Sequence, residues 1–278
     1  MKNKNLIELM KRKSNFHRMQ ILESINLAQK GHLGGSFSCL DILISLYYSK
    51  IFNLGKKFIN NPKKDFFILS KGHAAISLYS IFYDLGFSKN YNLKMFNKFP
   101  SFLTEHPQVH KNLPGIEFET GSLGNGLGLA AGLGYALKLK KKKNKVFVLI
   151  GEGDLYEGST WEAFLSLSHL ELDNVYVLID RNKLITLGST EKICKLEPLR
   201  QKLISFSMNV HNVNGHKFNN IINLFNKLKI KKNKKTNVVV FNTTKGKGIK
   251  FIENTHTSHH RILPKNEYEI AINNFYDE

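Results

Sequence analysis

Cysteine is almost missing from this chain. Cys39 and Cys194 are the only two in 278 residues, and neither sits in a C-x-x-C pair. A disulfide framework and a cysteine-built metal or redox centre are thereby excluded. Long apolar runs are missing too, and nothing approaches the roughly 20 residues that a membrane-crossing helix requires. Met1 to Lys13 alternates Lys and Asn with a few apolar residues, without the apolar stretch or cleavage site of a secretory signal. These absences predict a cytoplasmic protein with no membrane partner. Internal repeats and Pro/Ser-rich linkers are also absent. A single domain over residues 1–278 accounts for the chain, with about the first 15 residues expected to be loose.

Acidic residues are scarce. Lys and Arg number 41 against 22 Asp and Glu, giving a net charge of +19 and a pI near 9.7. Such a balance raises the question of nucleic acid. The lysines, however, concentrate in Lys138–Lys145 and Lys227–Lys235, each between an apolar helical segment and a β-branched strand. Solvated loops belong there, and no aromatic residues interleave the charges as in single-strand binders. Lys and Asn are used heavily even at neutral-looking positions, as AT-rich codon usage would produce. No specific nucleic-acid partner is expected, only loose electrostatic attraction to RNA.

The apolar pattern alternates between two periods. Asp65–Ser70, Val146–Ile150, Val175–Asp180 and Val238–Asn242 are short β-branched or apolar runs that predict buried strands. Helical spacing follows over Ala74–Tyr83 and through Phe218, Ile221, Ile222, Phe225 and Leu228, with further helices over Phe16–Ala28 and Leu40–Tyr48. Ser159-Thr-Trp-Glu162 has the S-x-x-E spacing of a capping box at a helix start. Strands alternating with helices imply an α/β fold, a mostly parallel sheet with helices on both faces.

In such sheets ligands bind beyond the carboxyl ends of the strands. The segments there are Lys71-Gly-His73, Gly151-Glu-Gly-Asp154, Asp180-Arg-Asn182 and Thr243-Thr-Lys-Gly-Lys-Gly248. Gly-acid-Gly after a strand and before a helix suits a diphosphate, because glycine admits close backbone approach and helix amides favour negative charge. Glu152 and Asn182, at two strand ends, can hold one hard cation whose shell is completed by phosphate oxygens and water. Either residue alone reads better as an ordinary polar loop residue.

Gly-acid-Gly, about 30 residues and then Asn resembles the thiamine-diphosphate motif, and the surroundings resemble transketolase. Gly151-Glu-Gly-Asp-Leu-Tyr-Glu-Gly158, Trp161-Glu-Ala163 and Asp180-Arg-Asn182 carry that likeness. So do Gly31-His-Leu-Gly-Gly-Ser36, Leu69-Ser-Lys-Gly-His-Ala74, Glu105-His-Pro107, Leu113-Pro-Gly115, Thr120-Gly-Ser-Leu-Gly-Asn-Gly126, Val213-Asn-Gly-His216 and Thr244-Lys-Gly-Lys-Gly248. The series runs in family order from about Phe16 to Tyr268.

The resemblance implies a thiamin-diphosphate-binding fold of the diphosphate type. It implies thiamine diphosphate as cofactor, with Mg²⁺ or Ca²⁺ ligated by Glu152, Asn182 and the Leu184 carbonyl. Gly151, Gly153, His73 and Asn182 would contact the diphosphate, and Gly121 and Leu123 would line the bent cofactor. His32, His106 and His259 would face the substrate, with His260 the alternative to His259. Glu157 would lie near a subunit interface. The implied activity is two-carbon ketol transfer between sugar phosphates, as in the pentose phosphate pathway. Transketolases carry a second, pyrimidine-type domain that this sequence does not encode. The resemblance is therefore to the N-terminal subunit of split transketolases, completed by a C-terminal transketolase-type subunit in a heterotetramer with two copies of each.

The sequence departs from the family pattern at several places, among them Asp154, where many relatives have Glu. Glu152 stands for the family's Asp, and Ser258 for the Trp of a Trp-His pair. The alternative readings are a decayed assembly subunit or another thiamine-diphosphate activity (deoxyxylulose-phosphate synthesis, a 2-oxoacid dehydrogenase component).

Overall fold

A computed structural model describes residues 2–230 and 234–276. The element order is α1 (Lys2–Ala28), α2 (Leu33–Tyr48), β1 (Phe66–Leu69), α3 (Ala75–Asp84), α4 (Asn125–Leu139), β2 (Val146–Gly151), α5 (Gly158–His169), β3 (Val175–Arg181), β4 (Leu184–Ile185), β5 (Gly188–Ser189), α6 (Thr190–Ile193), α7 (Leu199–Ser205), β6 (Asn209–Asn214), α8 (Phe218–Ile230), β7 (Asn237–Asn242) and α9 (Lys265–Tyr276). Five strands form a parallel sheet in the order β1-β2-β3-β7-β6, and β4 and β5 form a separate antiparallel pair.

The pleat divides the core in two. Phe147, Leu149, Tyr176, Leu178, Val239 and Phe241 point toward the helices α1, α2, α8 and α9. Val146, Val148, Ile150, Val177, Ile179 and Val240 point the other way, toward α4, α5 and α7. This two-faced burial is why β2 and β3 are apolar at successive positions rather than alternating. Every residue of α2 is buried. A helix covered all round lies inside the fold, and its first turn reaches the carboxyl ends of the strands.

Several elements differ from expectation. The N-terminal helix starts at Lys2 rather than Phe16, because Ile7 and Met10 continue its apolar stripe and are buried. The fifth strand, β6, was hidden by its polar sequence Asn-Val-His-Asn-Val-Asn. It lies at the sheet edge, where half-exposure tolerates those side chains. The capping box does not form: α5 begins at Gly158, and Ser159 Oγ donates instead to the Gly124 carbonyl at 3.1 Å. Of the second lysine run, Lys227 and Lys229 end α8, while residues 231–233 lie outside the described residues. In the first run, Lys138 caps α5 by donating to the carbonyls of Leu170 and Glu171 at 2.8 and 3.0 Å. None of the described helices is long and apolar enough to cross a membrane.

Phe147 is fully buried, with ring centroids of Phe52 and Tyr176 at 4.5 and 4.9 Å. Phe147→Ala is expected to cost about 3–5 kcal/mol of unfolding free energy. Urea denaturation followed by circular dichroism checks this.

Candidate active site at the carboxyl ends of the strands

Strand register sets the site. Gly151 pairs with Asp180, and Asp180 with Phe241, so the residues leaving β2, β3 and β7 emerge side by side. Beneath them lies a buried ion pair. Lys71 Nζ contacts Asp180 Oδ2 and donates to the Gly35 carbonyl at 2.8 Å and to Ser38 Oγ at 3.2 Å. Asp180 also accepts from Ser38 Oγ, and from Thr243 Oγ1 at 2.5 Å. Burial works to lower the Lys71 pKa, but the Asp180 carboxylate outweighs it and holds the ammonium above its usual range. Burial likewise works to raise the Asp180 pKa, and the Lys71 charge and its hydrogen bonds outweigh that effect, leaving it low.

Asp154 knots the turn after β2. Its carboxylate, fully buried, accepts from Ser70 Oγ at 2.6 Å, from Gly124 N at 3.0 Å and from Gly151 N at 2.8 Å. One side chain thus ties together the end of β1, the entry to α4 and its own loop. Gly124 has φ +87°, and a Cβ there would meet Glu157 and Ser159 at 2.5–2.6 Å. A side chain there would block the junction.

The crevice above this floor has a volume of ≈ 100 Å³. His73, Leu123, Gly151, Gly153, Glu152 and Asn182 line it, together with Leu184, His259 and Lys245. A Cβ on Gly153 would meet Leu123 Cδ1 at 2.6 Å, so glycine keeps that wall open. His32, His106 and Gly121 stand just beyond. The His32 ring lies 5.1 Å from His73, 5.9 Å from His106, 5.1 Å from His259 and 3.8 Å from His260. A Cβ on Gly121, at φ +140°, would meet His106 Cδ2 at 2.6 Å. All the residues singled out in the sequence therefore converge, and His259 and His260 both reach the rim. Ser258, in the family's Trp position, is fully buried against Gly34, where a Cβ would come within 2.4 Å of its Oγ. The close approach of the two segments explains why a small residue fits there.

Burial and then the neighbouring His260, His259, His106 and Lys71 push the His32 pKa down to about 2. Burial and then Lys245 push that of His259 down to about 3. Burial and then Lys71 hold His73 well below the usual range. These rings are neutral near pH 7 and can each donate one hydrogen bond and accept another.

Lys71 and Lys245 had no role in the sequence reading, although both stand in the quoted motifs directly after strands. Lys245 Nζ lies 3.0 Å from His259 Nδ1 and 3.4 Å from the Leu184 carbonyl, and burial followed by the Lys71 charge lowers its pKa to about 8. Its loop is braced from behind. His216 Nε2 accepts from Thr244 N at 2.9 Å while Nδ1 faces Asp41 Oδ2 at 2.7 Å, and Arg18 Nε donates to the Lys247 carbonyl at 2.8 Å.

Glu152, Asn182 and Leu184 line the crevice, and their carboxylate, amide and backbone carbonyl can offer oxygen donors, which fits a hard divalent cation. The Asn182 Oδ1 accepts from Leu184 N at 3.0 Å. Glu152 Oε1 accepts from Lys183 N at 2.5 Å and lies 3.3 Å from Arg181 Nη1. Even so, burial and then the Asp180 charge raise its pKa to about 7. The protein's own cations leave this carboxylate undercompensated, as expected where a further positive charge belongs. Two lysines and a glycine wall opposite give an anion room and countercharge.

Comparison with known proteins points the same way. The family described as Transketolase, thiamine diphosphate binding domain, matches residues 9–275. An apulose-4-phosphate transketolase subunit from Actinobacillus succinogenes is 37% identical over 271 residues, covering 98% of this chain and 97% of its own. A 6-deoxy-6-sulfo-D-fructose transketolase subunit from Clostridium sp. is 30% identical, with 93% of each chain covered. The crystal structure of Campylobacter jejuni transketolase superposes with a TM-score of 0.88 at 27% identity, over 97% of this chain but only 43% of that one. The chain spans nearly the whole of the subunit relatives and under half of that longer enzyme.

A buried carboxyl whose folded pKa is raised favours the folded state at low pH, and this contribution is lost as pH rises through about 7. In the absence of metal, Glu152→Gln should therefore stabilise the chain at pH 8, by up to about 3 kcal/mol, and by little at pH 5. Thermal unfolding of both proteins across pH checks the sign.

Proposed function

This chain belongs to the transketolase thiamine-diphosphate-binding domain family, and we propose that it works as the N-terminal subunit of a split transketolase. In this reading it transfers a two-carbon ketol unit reversibly between a ketose phosphate and an aldose phosphate. The observation that carries the proposal is the convergence on one crevice of the Glu152–Asn182–Leu184 oxygen set, two buried lysines and a rim of neutral histidines. The full-length coverage of relatives named as subunits supports the divided architecture.

Bound thiamine diphosphate would supply the carbanion chemistry of ketol transfer. Glu152, Asn182 and the Leu184 carbonyl would hold Mg²⁺ or Ca²⁺ against the diphosphate. Lys71 and Lys245 would offset the remaining negative charge, and Gly151, Gly153 and His73 would approach the phosphates closely. Gly121 and Leu123 would shape the wall beside the rings. His32, His106 and His259 would orient the sugar's carbonyl and hydroxyls, since an imidazole can both give and take a proton. Neutrality matters: a cationic rim would compete with the metal for the diphosphate.

The second subunit would supply the pyrimidine-type half of the site, in an assembly with two copies of each chain. Support comes from the outer faces of α4 and α5, where Leu129, Tyr135, Leu139 and Leu165 are exposed. Exposed apolar side chains on two neighbouring helices are suited to burial by another chain.

Co-expression with a C-terminal-type transketolase subunit, with thiamine diphosphate and Mg²⁺, should give xylulose 5-phosphate consumption with ribose 5-phosphate as acceptor. Cofactor binding without turnover would assign the complex to another substrate class. Lys245→Ala should weaken thiamine diphosphate binding about 10- to 150-fold by calorimetry, the loss of one charge-assisted hydrogen bond. Glu152→Asp should change that affinity by less than about tenfold, whereas a large gain would identify a decayed site.

A further inference from the structure

The rim of the crevice holds a second possible set of metal donors, unlike the first. One ring nitrogen from each of His32, His259 and His260 lies within 4.8 Å of the other two. The three rings are mutually in contact, with centroids 3.8 Å (His32–His260), 5.1 Å (His32–His259) and 5.0 Å (His259–His260) apart. They come from distant parts of the chain, His32 from the N-terminal edge of α2 and the other two from the segment before α9.

Each of the two inner rings has a charged neighbour at Nδ1. His32 Nδ1 lies 2.9 Å from Glu105 Oε1, and among the described residues neither atom has a well-aligned hydrogen-bond partner. A carboxylate behind an imidazole is the arrangement that fixes the ring of a metal-binding histidine. His259 Nδ1 is engaged by Lys245 Nζ at 3.0 Å. Nε2 is the atom left to face an ion; on His259 it carries the ring proton while Lys245 donates to Nδ1, so binding a metal there releases a proton. His260 is exposed, so its side chain can rotate onto an ion held by the other two. Metal–nitrogen bonds of about 2.0–2.1 Å put tetrahedral ligands roughly 3.3 Å apart, a contraction that such rotation supplies.

We propose that His32, His259 and His260 form a site for a borderline transition-metal ion of the Zn²⁺ class, separate from the oxygen set at Glu152 and Asn182. Three imidazoles and an open fourth position select nitrogen-seeking ions and discriminate against Mg²⁺ and Ca²⁺. The positive charges of Lys71 and Lys245 temper the affinity, and Asp180 and Glu152 partly offset them. An ion seated here stands across the entrance to the crevice. If the transketolase reading holds, it excludes the sugar phosphate and acts as a competitive inhibitor. The binding site itself does not depend on that reading.

Cobalt(II) titration of the full chain in excess Mg²⁺, read by visible absorption, tests the proposal without any turnover. Intense bands of four-coordinate, nitrogen-ligated cobalt are expected. Glu152→Ala should leave them in place. His260→Ala, at an exposed position that folding does not need, should remove them and weaken binding more than tenfold, and Glu105→Gln should weaken it about 10- to 100-fold. Bands that persist in His260→Ala, or faint octahedral bands that vanish with Glu152→Ala, would overturn the assignment.

Discussion

The ion pair between Lys71 and Asp180 lies where four parts of the fold meet, and the crevice is built on top of it. Lys71 follows β1, Asp180 lies near the end of β3, Ser38 and Gly35 belong to α2, and Thr243 follows β7. A charge buried this deeply is tolerated only with its partner. Removing one member and leaving the other typically costs about 3–5 kcal/mol. The same pair fixes the local field. Its two ends set the opposing charges that surround Glu152, Lys245 and the histidines. A rearrangement here would move the floor of the site and shift its electrostatics together.

The site then divides into two layers of different chemistry. At depth, carboxylate and amide oxygens sit beside ammonium groups, a combination suited to a metal–diphosphate pair. At the rim, burial keeps His32, His73 and His259 neutral, so the polar groups there can exchange hydrogen bonds without adding charge. The braces behind the layers differ as well. Asp154 fixes the Gly-rich turn, whereas Asp41, Arg18 and His216 fix the loop that carries Lys245. The N-terminal helix α1, remote in sequence, contributes to the site through Arg18.

Much of this was legible in the sequence for a physical reason. Strands buried on both faces must be apolar without interruption, so β1, β2, β3 and β7 stood out, and polar residues directly after them had to reach the ligand end. Glu152 and Asn182 followed from that rule. β6 escaped it because an edge strand exposes half its length and can be written in Asn and His. The capping box at Ser159 failed because tertiary contact with Gly124 claimed the hydroxyl. Lys71 and Lys245 were missed because a lysine after a strand reads as a solvated loop residue in a chain this rich in lysine. Only packing distinguishes the two that are buried. The placing of His259 and His260 side by side at the rim likewise depends on the fold of the segment before α9, which carries no periodic signal.

The proposed function rests on Glu152 and Asn182 gripping one cation that also holds a diphosphate. Mn²⁺ offers a direct view, because its anomalous X-ray scattering locates it without assumptions about ligands. Crystals of the chain grown with thiamine diphosphate and Mn²⁺ should show one peak bonded to the Glu152 carboxylate, the Asn182 side-chain oxygen and two phosphate oxygens. A cofactor bound with no peak between those two side chains, or a peak bonded to neither, would contradict the account.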